Sequence, residues 1–344
     1  MLVYAGIDEA GYGPMLGPLV VGSTVFVFPI REPSSGAPKM WEILESAVAK
    51  GLKGAKSRIT VNDSKKLKLP NSNLRRQGAK HPLIHLERGV LSFLHCLAGQ
   101  GAERNGNETG EVRSDRAFFD RILPSPRDEV DDLRWYVGDA IELPVGNDRN
   151  MLRIASHSLE HSLQSHDIQI EQMSCRLLTE PRFNELTSRL KSKAAANFHL
   201  IGKHIAEIYD GYGQHHPRII VDRQSGRMHY RELLHTLFPD AEIRITAEEE
   251  SFSRYELAGN AERGMVITFV KGAEQKHLPV ALASMLAKYT RELFMIRFNR
   301  FFRMYLSELK PTAGYVQDAR RFLKDIDVVI KEIGLDREQL VRKW

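Results

Sequence analysis

The chain has 344 residues, 42% hydrophobic and 27% charged, with a net charge of +5. That describes an ordinary soluble globular protein, either two domains or one large domain with an insertion, and no apolar run is long enough to span a bilayer. Cys96 and Cys175 make no metal-ligand pattern, no Cys, His and acidic set is spaced for zinc, and Asp8 interrupts the N-terminus before a signal peptide can form, so a cytoplasmic protein with free thiols is expected.

Residues 2–7 form an apolar run that ends in Asp8 and Glu9. Gly11-Tyr12-Gly13-Pro14 and Gly17-Pro18 follow, then a second apolar run over 19–28. Short Val-rich runs bounded by Gly and Pro predict strand, acidic turn, strand. Carboxylates at the mouth of a buried strand are a common place for a metal, and glycines beside them let backbone N–H groups approach a phosphate or sugar. A Pro/Ser/Gly turn over 29–38 and a short helix over 39–49 come next. Asp63-Ser64-Lys65-Lys66-Leu67 then presents two lysines, either phosphate-neutralising or simply a solvated pair.

Residues 71–166 have a different character. An apolar, helical stretch closes with Ser92 to Leu97, residues 99–110 are a polar Gly/Asn-rich loop, and residues 113–143 are charged and contain Pro124-Ser125-Pro126. This segment reads as an inserted subdomain or lid. Ile168, Ile170 and Met173 predict a strand, residues 181–185 a turn, and residues 193–209 a helix with Ala196, Leu200, His204 and Ile208 on one face, stopped at Gly211. Residues 218–222 predict a strand delivering Asp222 at its end. A helix over 229–238 and strands over 242–246 and 265–271 follow. Residues 281–309 predict a helix with an apolar seam of Leu282, Leu286, Tyr289, Leu293 and Ile296 and with Ser284, Lys288 and Glu292 on another side. After Pro311 comes a helix over 317–333 and a polar tail over 336–344 expected to fray.

Four of these strings resemble motifs of ribonuclease HII, the type 2 ribonucleases H. DEAGYGPMLGP from Asp8 resembles the family's DEAGRGPLAGP, DSKKL from Asp63 is identical to the family string, RIIVD resembles VLVDG, and ALASMLAKYTRELFM from Ala281 resembles AAASILAKVTRDRLM. Departures are Tyr12 for an arginine, Arg223 for a glycine, Ala273 for the aspartate of KGD, Glu292 for an aspartate (related ribonucleases HIII carry glutamate there), and Arg320 at a histidine position. Gly314-Tyr315 matches the family's GYPT turn.

The resemblance implies an α/β, ribonuclease H-like fold: a mixed sheet flanked by helices, catalytic over residues 1–310 with 71–166 inserted, and a C-terminal helical segment over 311–344. It implies Asp8, Glu9, Asp222 and Glu292 as catalytic ligands of two Mg²⁺ or Mn²⁺ ions, Asp8 bridging them. It also implies Gly11, Tyr12, Gly13, Lys65, Lys66, Ser284, Lys288 and Tyr315 as substrate contacts. The expected substrate is an RNA–DNA hybrid or duplex DNA containing ribonucleotides, cut to leave 3′-hydroxyl and 5′-phosphate ends. A non-catalytic nucleic-acid-binding relative and a nuclease of the same fold acting on another DNA structure are the alternatives.

Overall fold

The two N-terminal apolar runs become β1 (Leu2–Ala10) and β2 (Leu19–Phe28), paired antiparallel from Leu2↔Phe28 to Ala10↔Val20. The computed structural model describes residues 1–29, 36–98, 111–124, 128–223 and 226–343. The loop expected over 99–110, Ser125-Pro126 and most of the turn over 29–38 lie outside the described residues.

The expected helix over 39–49 shrinks to Met40–Ile43. Its remainder becomes β3 (Val48–Ala49), paired parallel with β4 (Ile59–Thr60). The Ala47 and Ala49 carbonyls accept from Ile59 and Val61 N–H at 2.8 and 3.0 Å, so a distant segment claims the groups a helix would have used. The main sheet adds β5 (Gln169–Leu178), β6 (Arg218–Asp222), β7 (Glu242–Glu248), β8 (Phe252–Ala258) and β9 (Gly264–Val270), in the order β5-β2-β1-β6-β9-β8-β7. β8 was not anticipated from the sequence. Within this seven-stranded sheet β1, β6 and β9 are mutually parallel and the other pairings are antiparallel, so the expected mixed α/β architecture is present.

Alternation along β1 sorts its side chains into two cores. Leu2 and Tyr4 face one side, while Val3, Ala5 and Ile7 face the other. The first side is covered by the long helix Leu278–Arg303, which is buried nearly all round, as expected of a helix sandwiched between layers. Helices Ile84–Ala98, Asp115–Ile122 and Arg149–Gln164 pack outside it, and Phe93, Phe118, Trp135 and Leu159 join the same core. Two buried polar links fasten this segment. Arg297 clasps Asp115 with both carboxylate oxygens at 2.5 and 2.8 Å, and Tyr289 Oη donates to Glu87 at 2.9 Å.

The second side is covered by helices Glu180–Leu190, Lys193–Tyr212 and Arg231–Leu237. Residues 181–185, expected as a turn, start the first of these. Pro181 sits in its first turn, where a missing N–H costs nothing. Ala196, Leu200, His204 and Ile208 are buried as the predicted face. No described helix is long and apolar enough to cross a membrane.

Helices Val316–Asp325, Asp327–Glu332 and Arg337–Leu340 close the chain. The tail does not fray at Arg342, which is 2% exposed. Its N–H donates to Met15 O at 2.8 Å and its guanidinium to Gly11 O at 2.6 Å and to Pro14 O, so tertiary hydrogen bonds hold a segment that is polar in sequence.

Candidate active site

Parallel pairing aligns Ile7 with Val221, so the next residues, Asp8 and Asp222, lie side by side where the β1–β6 ladder ends, Asp8 and Glu9 still inside β1 rather than in the expected acidic turn. Asp222 in turn pairs with Val270 at the end of β9. Beyond β9 the chain reverses at Gly272, whose φ of +65° suits glycine. Ala273 N–H then donates to Asp222 Oδ1 at 2.9 Å, and Glu274 follows. Three parallel strands thus deliver acids at their carboxyl ends, the usual binding edge of an open α/β sheet. The long helix reaches this edge because β1 and β2 carry glycines beneath it. A Cβ on Gly6 would lie 2.2 Å from the Pro279 carbonyl carbon, and one on Gly22 would lie 2.5 Å from Ala283 O. This close approach brings the Ser284 hydroxyl to Asp8.

The acids oppose one another's ionisation. Burial, then the Glu9 charge, holds the Asp8 carboxyl well above its usual range, while Ser284 and the Glu9 N–H (2.7 Å from Oδ1) work the other way. Burial and Asp222 push Glu9 up to about 7. Burial, Asp8 and Glu274 push Asp222 up to about 8. Glu9 Oε2 and Glu274 Oε2 are buried without a hydrogen-bond partner among the described residues. Asn197 lies close enough to Glu9 to favour its charged form, yet neither amide atom reaches a partner in good geometry. Orphaned carboxylate oxygens in a cluster of raised acids are what a bound cation would satisfy, and an all-oxygen donor set suits hard Mg²⁺ or Mn²⁺.

Lysines border the acids. Asp63 caps the short helix Ser64–Leu67 by accepting from Lys65 N–H at 2.9 Å, and Ser64 Oγ lies 3.0 Å from Ser284 Oγ. Burial disfavours the Lys65 charge, but Asp63, Asp8, Glu9 and Glu274 together hold it above its ordinary value. Lys66 is exposed beside it.

Glu292 keeps different company. It is 8% exposed, 2.9 Å from Lys288 Nζ, 3.6 Å from Lys68 Nζ and 3.9 Å from Arg291. Burial raises its carboxyl, but these cations outweigh that and leave it below the ordinary range, opposite in direction to Asp8, Glu9 and Asp222. The charges acting on Asp8 and Asp222 instead include Glu274, which sequence reading missed. Its signal was present: Lys271-Gly272-Ala273-Glu274 carries an acid one position after the aspartate of the family's KGD. Lys68 and Asn197 were missed as well, and neither stands in a recognisable motif.

The glycine loop is fastened from below. Gly11 has φ +86° and a Cβ there would lie 2.6 Å from the Arg291 side chain. Arg291 donates to Leu16 O at 2.9 Å and Ala313 O at 3.1 Å. Gly13 is exposed with open space over it. Tyr12, in the position of the family's arginine, is half-buried, with Lys193 Nζ 4.3 Å from its ring centroid. Met15 and Leu16 N–H donate to Gly314 O at 2.8 and 3.2 Å, tying the glycine loop to the turn that bears Tyr315. Tyr315 is 53% exposed, so it is not a core aromatic.

Residues 176–327 match the family model for ribonuclease HII. Among solved structures, the chain is similar to the PCNA:RNase HII complex from Archaeoglobus fulgidus (14% identity, TM-score 0.37, covering 99% of this chain and 94% of that one). It is also similar to the ribonuclease H2 from Pyrococcus horikoshii OT3 (16% identity, TM-score 0.35, covering 99% and 92%). A third is Bst-RNase HIII in complex with Mn²⁺ (12% identity, TM-score 0.40, covering 99% and 66%). No curated protein matches the chain.

Proposed function

We propose, from the match of residues 176–327 to the ribonuclease HII family model, that this chain is a divergent ribonuclease HII-type protein and a divalent-metal-dependent endonuclease hydrolysing the RNA strand of RNA–DNA hybrids. The observation that carries this reading is the convergence of Asp8, Glu9, Asp222 and Glu274 near the ends of parallel strands, with two buried carboxylate oxygens lacking partners among the described residues. A non-catalytic phosphate binder gains nothing from such a cluster.

In this reading Asp8, Glu9, Asp222 and Glu274 hold the ions, and Glu292 is reassigned from ligand to anchor. Mg²⁺ or Mn²⁺ bound there supplies a nucleophilic water at neutral pH and charge stabilisation for the leaving oxygen. Ser284 orients Asp8 and is itself positioned by Ser64. Lys65 and Lys66 face the substrate's phosphates. Glu292 gathers Lys68 and Lys288 beside the cluster, where a second phosphate could bind. The backbone of Gly11 to Gly13 reads a ribose 2′-hydroxyl, the feature by which RNA is told from DNA. Tyr315 stacks on the neighbouring sugar, which extends the reading to single ribonucleotides embedded in DNA.

The test is cleavage of three matched duplexes with Mg²⁺ or Mn²⁺: a full hybrid, DNA with one embedded ribonucleotide, and all-DNA, with Asp8→Asn as control. Cutting of either ribose-containing duplex, absent in Asp8→Asn, supports the proposal. Cutting of the all-DNA duplex alone would assign a different nuclease. Binding without cutting under any metal would assign a nucleic-acid-binding protein.

A further inference from the structure

Residues that the sequence keeps 62 and 65 positions apart, His95 against His157 and Glu160, meet on the outer helices. His95 lies on helix Ile84–Ala98, and His157 and Glu160 lie on helix Arg149–Gln164. One ligand-capable atom from each stands within 4.8 Å of the others, the one such three-residue group of His, Cys, Asp or Glu among the described residues. We propose that these three residues form a second metal site, of the zinc type, built from different residues and different chemistry from the carboxylate cluster.

The donor set makes the argument. Two imidazoles and one carboxylate are borderline-soft to hard ligands of the kind that zinc takes, whereas Mg²⁺ would prefer oxygen alone. His157 and Glu160 are spaced i,i+3, which puts both on one face of their helix. His157 Nδ1 and Glu160 Oε2 are 3.4 Å apart. Ligands held about 2.0–2.2 Å from a tetrahedral zinc stand roughly 3.3–3.6 Å from one another, so this pair already spans one edge of the tetrahedron. The His95 and His157 rings meet edge to face, with centroids 5.6 Å apart and planes at 82°, so they are not stacked flat against each other. A water completes the fourth position.

Of the charges around His95, Glu160 and Glu111 oppose those of His157 and Arg121. Arg113 and Arg153 are engaged by Glu111, at 3.3 and 3.4 Å. Cys96, next to His95, is buried and its thiol donates to Ser156 O at 3.8 Å, so it is not counted among the metal ligands. A metal here would bridge two helices of the 71–166 segment and so stiffen it where it packs on the long helix.

The experiment is calorimetric titration of Zn²⁺ into the intact protein held in excess Mg²⁺, which occupies the carboxylate cluster. Co²⁺ is titrated in parallel and its visible spectrum read for tetrahedral geometry. His157→Ala and Glu160→Gln change exposed or half-buried side chains, and circular dichroism checks that both variants fold. The expected result is one Zn²⁺ per chain, a tetrahedral Co²⁺ spectrum, and affinity weakened at least about tenfold in each variant but retained in Asp8→Asn. Absence of stoichiometric Zn²⁺ binding, undiminished affinity in His157→Ala, or loss only in Asp8→Asn would overturn the proposal.

Discussion

The Ala273 N–H donates to Asp222 Oδ1 at 2.9 Å, and this bond ties the turn that carries Glu274 to the acid cluster. It joins the end of β6 to the residue that stands where the family's motif has an aspartate. The acid displaced by one position is recovered in space.

Glu274 and Glu292 should therefore separate cleanly on mutation. Glu274→Gln should lower hydrolysis by at least about 100-fold and weaken Mn²⁺ binding, because loss of a ligand should exceed the roughly 10–100-fold cost of disturbing a ligand's support. Glu292→Gln should leave Mn²⁺ affinity nearly intact. It leaves Lys68 and Lys288 without their shared carboxylate, so stability should fall by about 3 kcal/mol and KM should change. Isothermal titration with Mn²⁺ and steady-state kinetics decide; the reverse pattern would restore Glu292 as the ligand.

Metal-free protein should lose stability as pH rises from 6.5 to 8. Glu9 and Asp222, raised to about 7 and about 8, ionise near their ordinary values of 4.5 and 3.8 once unfolded. Over the interval between, the folded chain binds more protons, so their contribution is present in full below the unfolded values and vanishes as pH passes the folded ones. His204 and His277, lowered to about 3 and about 4 by burial, act oppositely below their unfolded value of 6.5, and Lys193, lowered to about 8 by burial, acts oppositely from about pH 8 upward, so the acids dominate between the two. Denaturant melts with and without Mg²⁺ measure this. The slope should flatten with metal and in Asp222→Asn; an unchanged slope in Asp222→Asn would detach it from the cluster.

Tyr315→Ala should reduce cleavage at a single embedded ribonucleotide about tenfold, with a smaller loss on a long hybrid that needs no junction readout. Base or sugar stacking on an aromatic ring is worth about 1–3 kcal/mol. With its ring 53% exposed, the substitution should move the melting temperature little. Equal losses on both substrates together with a lower melting temperature would make Tyr315 structural.

Arg342→Ala removes hydrogen bonds to the Gly11 and Pro14 carbonyls and the contact of its guanidinium with Phe183, 4.8 Å from the ring centroid. The expected cost is about 2–4 kcal/mol, since buried carbonyls lose their donor. The glycine loop should also loosen, raising KM for ribose-containing substrate more than it lowers kcat. A variant as stable as the parent would mean that the tail is not anchored as described.

Much of this protein was legible in one dimension. Short apolar runs bounded by turn residues marked β1, β2, β6 and β9, and the four-residue spacing of Ala196, Leu200, His204 and Ile208 marked a helix face. Asp8, Glu9 and Asp222 could be singled out because each ends an apolar strand. Such signals are local, and local pattern is enough for a strand buried on both faces or a helix with one apolar face. Tertiary contact decided the rest. β3 exists only because the segment at Ile59 pairs with it, and the polar tail is ordered only because Arg342 finds buried carbonyls. Ser284, Lys288 and Glu292 share a helix face in sequence, yet Ser284 meets acids and Glu292 meets lysines, since the helix runs past the end of the strands. Glu274, and the meeting of His95 with His157 and Glu160, depend on chain segments brought together by packing, and spacing along a sequence carries no record of that distance.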